Sequence, residues 1–183
     1  ARPTHRTKDS MGCGAGRPPS RSRRSRSFLP SGLDTGEAVI AVDTNLLVYA
    51  HRAGCPEHDA ARRAIEAAAS DPDGWGIPST CLWEFWSVVT HPSSIGGGSS
   101  PESARGFIEA LIETAGAAIL HQSTASAARC MQIAEQLDIR GPRIFDVQIG
   151  LAALEAGANE IWTHDAGFTG LPGLKVRDPM RAA

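Results

Sequence analysis

A short, continuous apolar run at residues 39–42 constrains the fold of this 183-residue chain more than any other feature. Several apolar residues in direct succession are typical of a strand that is buried on both faces of a parallel sheet. Strand-like and helix-like segments then alternate to the C-terminus, with further strands predicted at 75–77, 117–120, 160–163 and 174–176. This alternation predicts an α/β domain with a central parallel sheet.

Helical patterns occupy the segments between the predicted strands. They are expected at residues 44–51, 56–70, 80–90, 101–115, 123–137 and 144–156. Ser79 is expected to cap the third of these helices. Trp83 and Trp86 lie three residues apart on that helix, so we expect them to pack in the core or at a dimer interface, with base stacking as the minor alternative.

The N-terminal segment differs in charge from the rest of the chain. Residues 1–38 hold eight Arg or Lys and three Asp or Glu, a net +5, whereas residues 39–183 hold ten and seventeen, a net −7. We predict a disordered basic extension over residues 1–37 and one globular domain over residues 38–183. The extension is interpreted either as a basic arm for RNA phosphates or as an incidental segment that the domain does not need.

The cysteines indicate the redox compartment in which the protein works. Cys13, Cys55, Cys81 and Cys130 are far apart and form no CxxC pair, which indicates free thiols in a reducing cytoplasm rather than structural zinc. No apolar stretch approaches the roughly 20 residues that span a bilayer. We therefore expect a cytoplasmic protein that does not associate with membranes.

Four acidic residues stand at the ends of predicted elements or on predicted helices, and they are Asp43, Glu84, Asp146 and Asp165. Asp43 and Asp165 each follow a predicted strand, and open α/β sheets bind ligands beyond the carboxyl ends of their strands. Carboxylates that converge on one point repel each other, and a hard divalent cation relieves that repulsion. The four acids therefore predict a catalytic, metal-binding set for Mg²⁺, with Mn²⁺ as the alternative, in an enzyme that acts on phosphates.

Each acid also has a simpler structural explanation. Asp43 and Asp146 would stabilise a helix N-terminus, because a carboxylate there accepts free N–H groups and faces the positive end of the helix dipole. Glu84 would lie on a partly exposed helix face, and Asp165 would belong to a turn. It is less plausible that four separate structural roles account for all four acids than that the acids form one site.

Four more residues are expected to support this set. Thr44, Asn45 and Thr163 neighbour the acids in sequence and are expected to orient ligands or bound water. Arg143 is expected either to bind a phosphate or to form a surface salt bridge.

The sequence around the acids resembles that of PIN-domain ribonucleases, and in particular the VapC-type toxins of type II bacterial toxin–antitoxin systems. The resemblance covers residues 39–178, and its matching stretches are 42–50, 84–86, 145–153 and 163–168. It implies a three-layer αβα fold with a central parallel sheet, and Mg²⁺- or Mn²⁺-dependent endonucleolytic cleavage of RNA by metal-activated water. It also implies a small antitoxin protein as partner and a homodimer.

One position departs from the family pattern. Members often carry a second acid or an Asn two residues after the last Asp, where this chain has Gly167. The resemblance therefore leaves open whether one or two metal ions bind. Two alternative functions also stay open: an RNA-processing PIN nuclease outside toxin–antitoxin systems, and a non-catalytic PIN-like binding module.

Overall fold

The computed structural model describes residues 39–94 and 97–181. The predicted basic extension, residues 1–37, lies outside the described residues, as does the predicted domain boundary at residue 38. No helix within the described ranges is long and apolar enough to cross a membrane.

The described residues form five strands and six α-helices that alternate for most of the chain. The strands are β1 Val39–Val42, β2 Trp75–Pro78, β3 Ala118–Leu120, β4 Ala158–Trp162 and β5 Lys175–Arg177. The helices are α1 Thr44–His51, α2 His58–Ala69, α3 Ser79–Thr90, α4 Pro101–Glu113, α5 Ser126–Gln136 and α6 Ile144–Glu155. The predicted three-layer αβα architecture with a central parallel sheet is confirmed, because the helices flank one parallel five-stranded sheet.

The strand order β3-β2-β1-β4-β5 determines where a ligand can bind. The chain moves from β1 outward to β2 and β3, then returns to the other side of β1 to form β4 and β5. Such a reversal leaves a crevice beyond the carboxyl ends of the two strands that flank it, here β1 and β4. Val42 pairs with Trp162 at the ends of these strands, so residues 43 and 163 leave the sheet side by side.

The core lies where the apolar run predicted it. Ala41 and Val42 of β1 have no exposed surface, and Ile77 of β2 and Ile161 of β4 are equally buried. Burial of this kind on a central strand leaves its backbone little freedom to move. Asp43, the next residue, is therefore held by a rigid support.

On α3, one local prediction was wrong and one alternative of a second was excluded. Ser79 does not cap this helix, since the helix begins at Ser79 itself and Pro78 precedes it without a side-chain capping bond. Of the two places expected for Trp83 and Trp86, the core is excluded, because 73% and 41% of their surfaces are exposed. The dimer interface stays a prediction. Leu82, Phe85 and Val89 form the buried face of α3 instead, so the two tryptophans point away from the sheet.

Candidate active site

One cavity of about 690 Å³ collects the four acids that the sequence singled out. Asp43 follows β1, Glu84 lies on α3, Asp146 lies in the first turn of α6, and Asp165 is the third residue after β4. The cavity therefore lies at the crevice between β1 and β4 that the strand order creates. Side chains that are far apart in sequence come together here because four elements end or pass at this edge of the sheet.

Asp43 is the buried member of the set, with 6% of its surface exposed. Its Oδ2 accepts hydrogen bonds from Asn45 Nδ2 and Thr163 Oγ1, both at 2.7 Å. Its Oδ1 accepts the Thr44 N–H at 2.7 Å, so Asp43 also caps α1. Three nitrogen and oxygen donors, with the Cys81 thiol as a more distant fourth, fix the orientation of this carboxylate.

The charge state of Asp43 reflects its surroundings. Burial raises the pKa of its carboxyl from 3.8 to about 6, hydrogen bonds from Thr163 and Thr44 oppose the rise, and the negative charges of Glu84 and Asp146 add to it. The contribution from Glu84 and Asp146 shows that neighbouring carboxylates act on Asp43 through space. The cavity therefore has a negative potential that favours a cation.

Glu84 is exposed to the cavity rather than enclosed by the apolar residues that flank it in sequence. Thr44 Oγ1 donates to Glu84 Oε2 at 2.6 Å. Because the Thr44 N–H bonds to Asp43, this one threonine links the buried carboxylate to the exposed one. The expected supporting role of Thr44 agrees with these contacts.

Asp146 and Asp165 are held by backbone N–H groups of a single loop. Asp146 Oδ2 accepts the Thr169 N–H at 3.1 Å, and Asp165 Oδ1 accepts the Gly167 N–H at 2.7 Å. Asp146 lies in the first turn of α6, where the helix dipole favours its charge. The simpler structural explanations thus hold for Asp43, Glu84 and Asp165 alongside a shared position at the cavity. Asp146 binds the loop instead of capping α6.

Asn45 and Thr163 form the support beneath Asp43. Asn45 Nδ2 donates to Thr163 Oγ1 at 2.8 Å, and Asn45 Oδ1 accepts the His164 N–H at 3.0 Å. Thr163 Oγ1 also accepts the Asp165 N–H at 3.0 Å. Asn45 lines the cavity, whereas Thr163 lies buried behind Asp43. Together they connect the end of β1 to the loop that carries Asp165.

Arg143 brings a positive charge into the cavity. Its Nη1 lies 3.8 Å from Asp146 Oδ2 and donates to the main-chain carbonyl oxygen of Gly167. The two alternatives offered by the sequence, a phosphate contact and a salt bridge, are therefore compatible, because the salt-bridge partner itself lines the cavity.

The cavity also has an apolar wall that the sequence analysis missed. It consists of Val48, Val88, Phe145 and Ile149. Phe145, the residue directly before Asp146, is 53% exposed. Helical spacing was the sequence signal that could have predicted this wall. Val88 follows Glu84 by four residues and Ile149 follows Phe145 by four, so each pair shares a helix face. Such spacing is more often a sign of core packing, so it did not point to the site.

The donor set of the cavity suits a divalent ion that keeps part of its water shell. Among the described residues, no three Asp, Glu, His or Cys side chains stand close enough together to enclose an ion by themselves. Mg²⁺ usually keeps several water ligands and binds through one or two carboxylates and the substrate phosphate. Four carboxylates around a cavity with one guanidinium fit that mode of binding.

The chain matches a known protein family over most of its length. The sequence model of the PIN domain matches residues 40–174. Ribonuclease VapC43 of Mycobacterium tuberculosis is 32% identical over 142 residues, which cover 78% of this chain and 96% of that protein. The PIN-domain match therefore includes all four residues of the acidic set.

Solved structures show the same fold. The crystal structure of VapC20 from Mycobacterium tuberculosis, a toxin that cleaves the sarcin–ricin loop, has a TM-score of 0.53 and 19% identity over 72% of this chain and 98% of its own. VapBC2 from Rickettsia felis, bound to a DNA fragment from its promoter, has a TM-score of 0.55 and 18% identity, covering 76% and 97%.

Proposed function

Because the chain belongs to the PIN-domain family, and within it to the VapC ribonucleases, we propose that it is a metal-dependent endoribonuclease and the toxin of a VapBC-type toxin–antitoxin pair. The observation that carries the proposal is the convergence of Asp43, Glu84, Asp146 and Asp165 on one cavity. The convergence is the observation that distinguishes a nuclease from a non-catalytic PIN-like module, which has no need of four acids at one place.

Mg²⁺ is the proposed cofactor, with Mn²⁺ as the alternative. The proposed metal-binding set consists of Asp43, Glu84, Asp146 and Asp165. One or two of these carboxylates would contact the ion directly, and the others would act through its water ligands. When bound, a divalent ion lowers the pKa of water and stabilises negative charge on a phosphate oxygen. The raised pKa of Asp43 supports this assignment, because part of that rise comes from the other carboxylates.

The remaining residues prepare the cavity for an RNA phosphate. Thr163, Asn45 and the Thr44 N–H fix the Asp43 carboxylate, so no side-chain reorganisation is needed when RNA binds. The apolar wall that includes Phe145 limits water and offers a face for a base. Arg143 is the proposed contact to a phosphate oxygen.

The direct test is RNA cleavage by the purified chain with Mg²⁺ or Mn²⁺ and with EDTA. EDTA is expected to abolish cleavage. Asp43→Asn is expected to reduce the rate by at least about 100-fold, since several kcal/mol of charge stabilisation depend on the ion. The variant should stay folded, because Asn caps helices as well as Asp does.

Asp59→Asn is the matched control, since Asp59 is exposed on α2 outside the cavity. Its rate should equal that of the wild type. Undiminished cleavage by a folded Asp43→Asn protein would exclude the proposed site, and no cleavage by the wild type on any RNA would exclude the activity.

A small antitoxin protein and a second copy of the chain are the proposed partners. The VapBC2 and FitAB structures have this fold, which supports an antitoxin as a partner. Exposed Trp83 and Trp86 support a protein interface on α3, because exposed aromatic patches are characteristic of such surfaces. Co-purification with the product of a neighbouring small gene, and sedimentation of the free protein, test the two partners separately.

The proposed location is the cytoplasm. Cys55, Cys81 and Cys130 are free thiols, and thiols persist in a reducing compartment. An RNA-processing PIN nuclease is the second candidate function, and the absence of any co-purifying small partner would favour it.

A further inference from the structure

Arg143, which lines the cavity, contacts Gly167 in a way that the four acids do not explain. Arg143 ends the short 3₁₀ turn Gly141–Arg143 that leads into α6. Its Nη1 donates to the main-chain carbonyl oxygen of Gly167. Its Nη2 stands 3.1 Å from the place where a Cβ on residue 167 would lie. The guanidinium therefore lies directly over a residue that has no side chain.

Space, and not backbone conformation, favours glycine at position 167, because a Cβ there would press on the end of the Arg143 side chain. Gly167 is not one of the described glycines with positive φ, so other residues would accept its backbone. A Cβ there would lie 3.1 Å from Arg143 Nη2 and 3.2 Å from Asp165 Oδ1, both closer than ordinary van der Waals contact. A larger side chain would displace the guanidinium from the carbonyl group.

The Asp165 loop holds the accepting carbonyl group in place. Asp165 Oδ1 accepts the Gly167 N–H at 2.7 Å, and the Asp165 carbonyl oxygen accepts the Phe168 N–H at 3.1 Å. The Asp165 N–H donates to Thr163 Oγ1, which in turn donates to Asp43. The position of the guanidinium is therefore connected by hydrogen bonds to the buried carboxylate.

The charge of Arg143 has two consequences at this place. Among the described residues that line the cavity, Arg143 is the one with a basic side chain. A guanidinium stays protonated and its planar fork matches two oxygens of a phosphate. A fixed positive charge 3.8 Å from Asp146 also opposes a second divalent cation there, because like charges repel.

We propose that Arg143, lying over Gly167, is a built-in cation of the cavity that binds the non-bridging oxygens of the RNA phosphate and restricts the cavity to one divalent ion. The proposal rests on the proposed ribonuclease function and specifies how that site binds its substrate. Gly167 has a positioning role, since it leaves the space in which the guanidinium lies.

Metal stoichiometry is the first test, and it needs no RNA. Calorimetric titration of the full chain with Mn²⁺ should give one ion per chain. Arg143→Ala should bind the first Mn²⁺ at least as tightly as the wild type, because a nearby positive charge has been removed. Two ions on the wild-type chain, or weaker Mn²⁺ binding by Arg143→Ala, would overturn the proposal.

RNA binding is the second test, with a short fluorescein-labelled RNA of mixed sequence and Ca²⁺ in place of Mg²⁺. Arg143→Ala should weaken binding by about 10- to 100-fold, the loss typical of a charge-assisted hydrogen bond. For this variant, the slope of log binding constant against log salt concentration should become shallower by about 0.7, the value for one phosphate contact on a single strand. Arg143→Lys should bind at an intermediate level, because the charge remains without the fork.

Arg140→Ala is the matched control for the loss of a positive charge, since Arg140 is exposed and pairs with Asp138 outside the cavity. It should bind the RNA within about twofold of the wild type, as expected of a surface charge. Equal binding by Arg143→Ala and the wild type would overturn the proposal.

A double-mutant cycle tests the link between the two residues. Gly167→Ala should weaken RNA binding, because the new Cβ displaces the guanidinium. The double variant should bind no more weakly than Arg143→Ala alone, since both changes remove the same contact. Additive losses would contradict the pairing, provided that thermal unfolding shows all variants folded.

Failure of this inference is distinguishable from failure of the proposed function. If the wild type does not cut RNA with Mg²⁺ or Mn²⁺, the function is wrong. If the wild type cuts RNA while Arg143→Ala binds RNA and Mn²⁺ as the wild type does, the built-in cation alone is wrong.

Discussion

At the scale of single residues, Asp43 combines two roles with opposing energetic effects. It caps α1 through the Thr44 N–H, which stabilises the fold. It is also buried beside other carboxylates, which makes its ionised form costly. A protein selected for stability alone would place a neutral cap here. The retained carboxylate is therefore best explained by its use in the cavity.

This conflict predicts an unusual dependence of stability on pH. The folded-state pKa of Asp43 is raised from 3.8 to about 6, so the folded protein favours the protonated carboxyl. The stabilisation is present below pH 3.8 and is lost as the pH rises through about 6. In EDTA, ionisation of Asp43 should lower the free energy of unfolding by about 3 kcal/mol across this window.

Urea denaturation of the wild type and Asp43→Asn at several pH values measures how the free energy of unfolding depends on pH. The stability difference between the variant and the wild type isolates the Asp43 contribution from other titrating groups, and it should shift in favour of the variant as the pH rises from 4 to 6. A difference that is flat across the window would show that Asp43 titrates normally. Adding Mn²⁺ at neutral pH should restore wild-type stability, because the ion binds only the folded site.

At the scale of elements, the close approach of β2 to β3 positions the helix that carries Glu84. Gly76 lies on β2, and a Cβ there would stand 2.6 Å from Leu120 Cδ2 and 2.8 Å from the Ala118 carbonyl oxygen. The α3 helix begins directly after β2. A displaced β2 would therefore also displace Glu84 from the cavity.

Gly76→Ala should destabilise the protein by about 1–3 kcal/mol, the usual cost of overpacking a filled core. Gly106→Ala on α4 is the matched control, because no atom lies within 4 Å of its new Cβ. That change should stabilise the protein by roughly 0.5–1 kcal/mol through helix propensity. Thermal unfolding of both variants measures the contrast, and equal effects of the two changes would show that β2 and β3 have room to separate.

At the scale of the whole molecule, the net negative charge of the domain opposes the binding of RNA to its surface. Residues 39–183 carry seventeen acidic and ten basic side chains, so they repel a polyanion except where a cation is placed. Arg143 and a bound ion are such places in the cavity. The remaining concentration of positive charge is the segment 1–37.

Removal of residues 1–37 is expected to leave the cleavage rate and the RNA KM within about twofold of the full chain, since every proposed site residue lies beyond residue 38. Cleavage assays at several salt concentrations measure this. A raised KM with a weaker salt dependence would identify the segment as a basic arm for RNA phosphates instead.

The sequence by itself determined the α/β class, the approximate place of each strand and helix, and the four acids that meet at the cavity. These features depend on local pattern: a buried strand needs a continuous apolar run, and an acid at a strand end is directed to one edge of a parallel sheet. The Asp43 prediction needed only the residues beside it.

The tertiary structure alone decided which neighbours each side chain meets. The sequence around Glu84 is apolar, yet α3 turns Trp83 and Trp86 outward and leaves Glu84 exposed. The contact of Arg143 with Gly167 joins residues 24 positions apart, and no local pattern encodes it. Helical periodicity specifies a buried face only once the packing of the helix is known, because the same spacing serves a core and a cavity wall.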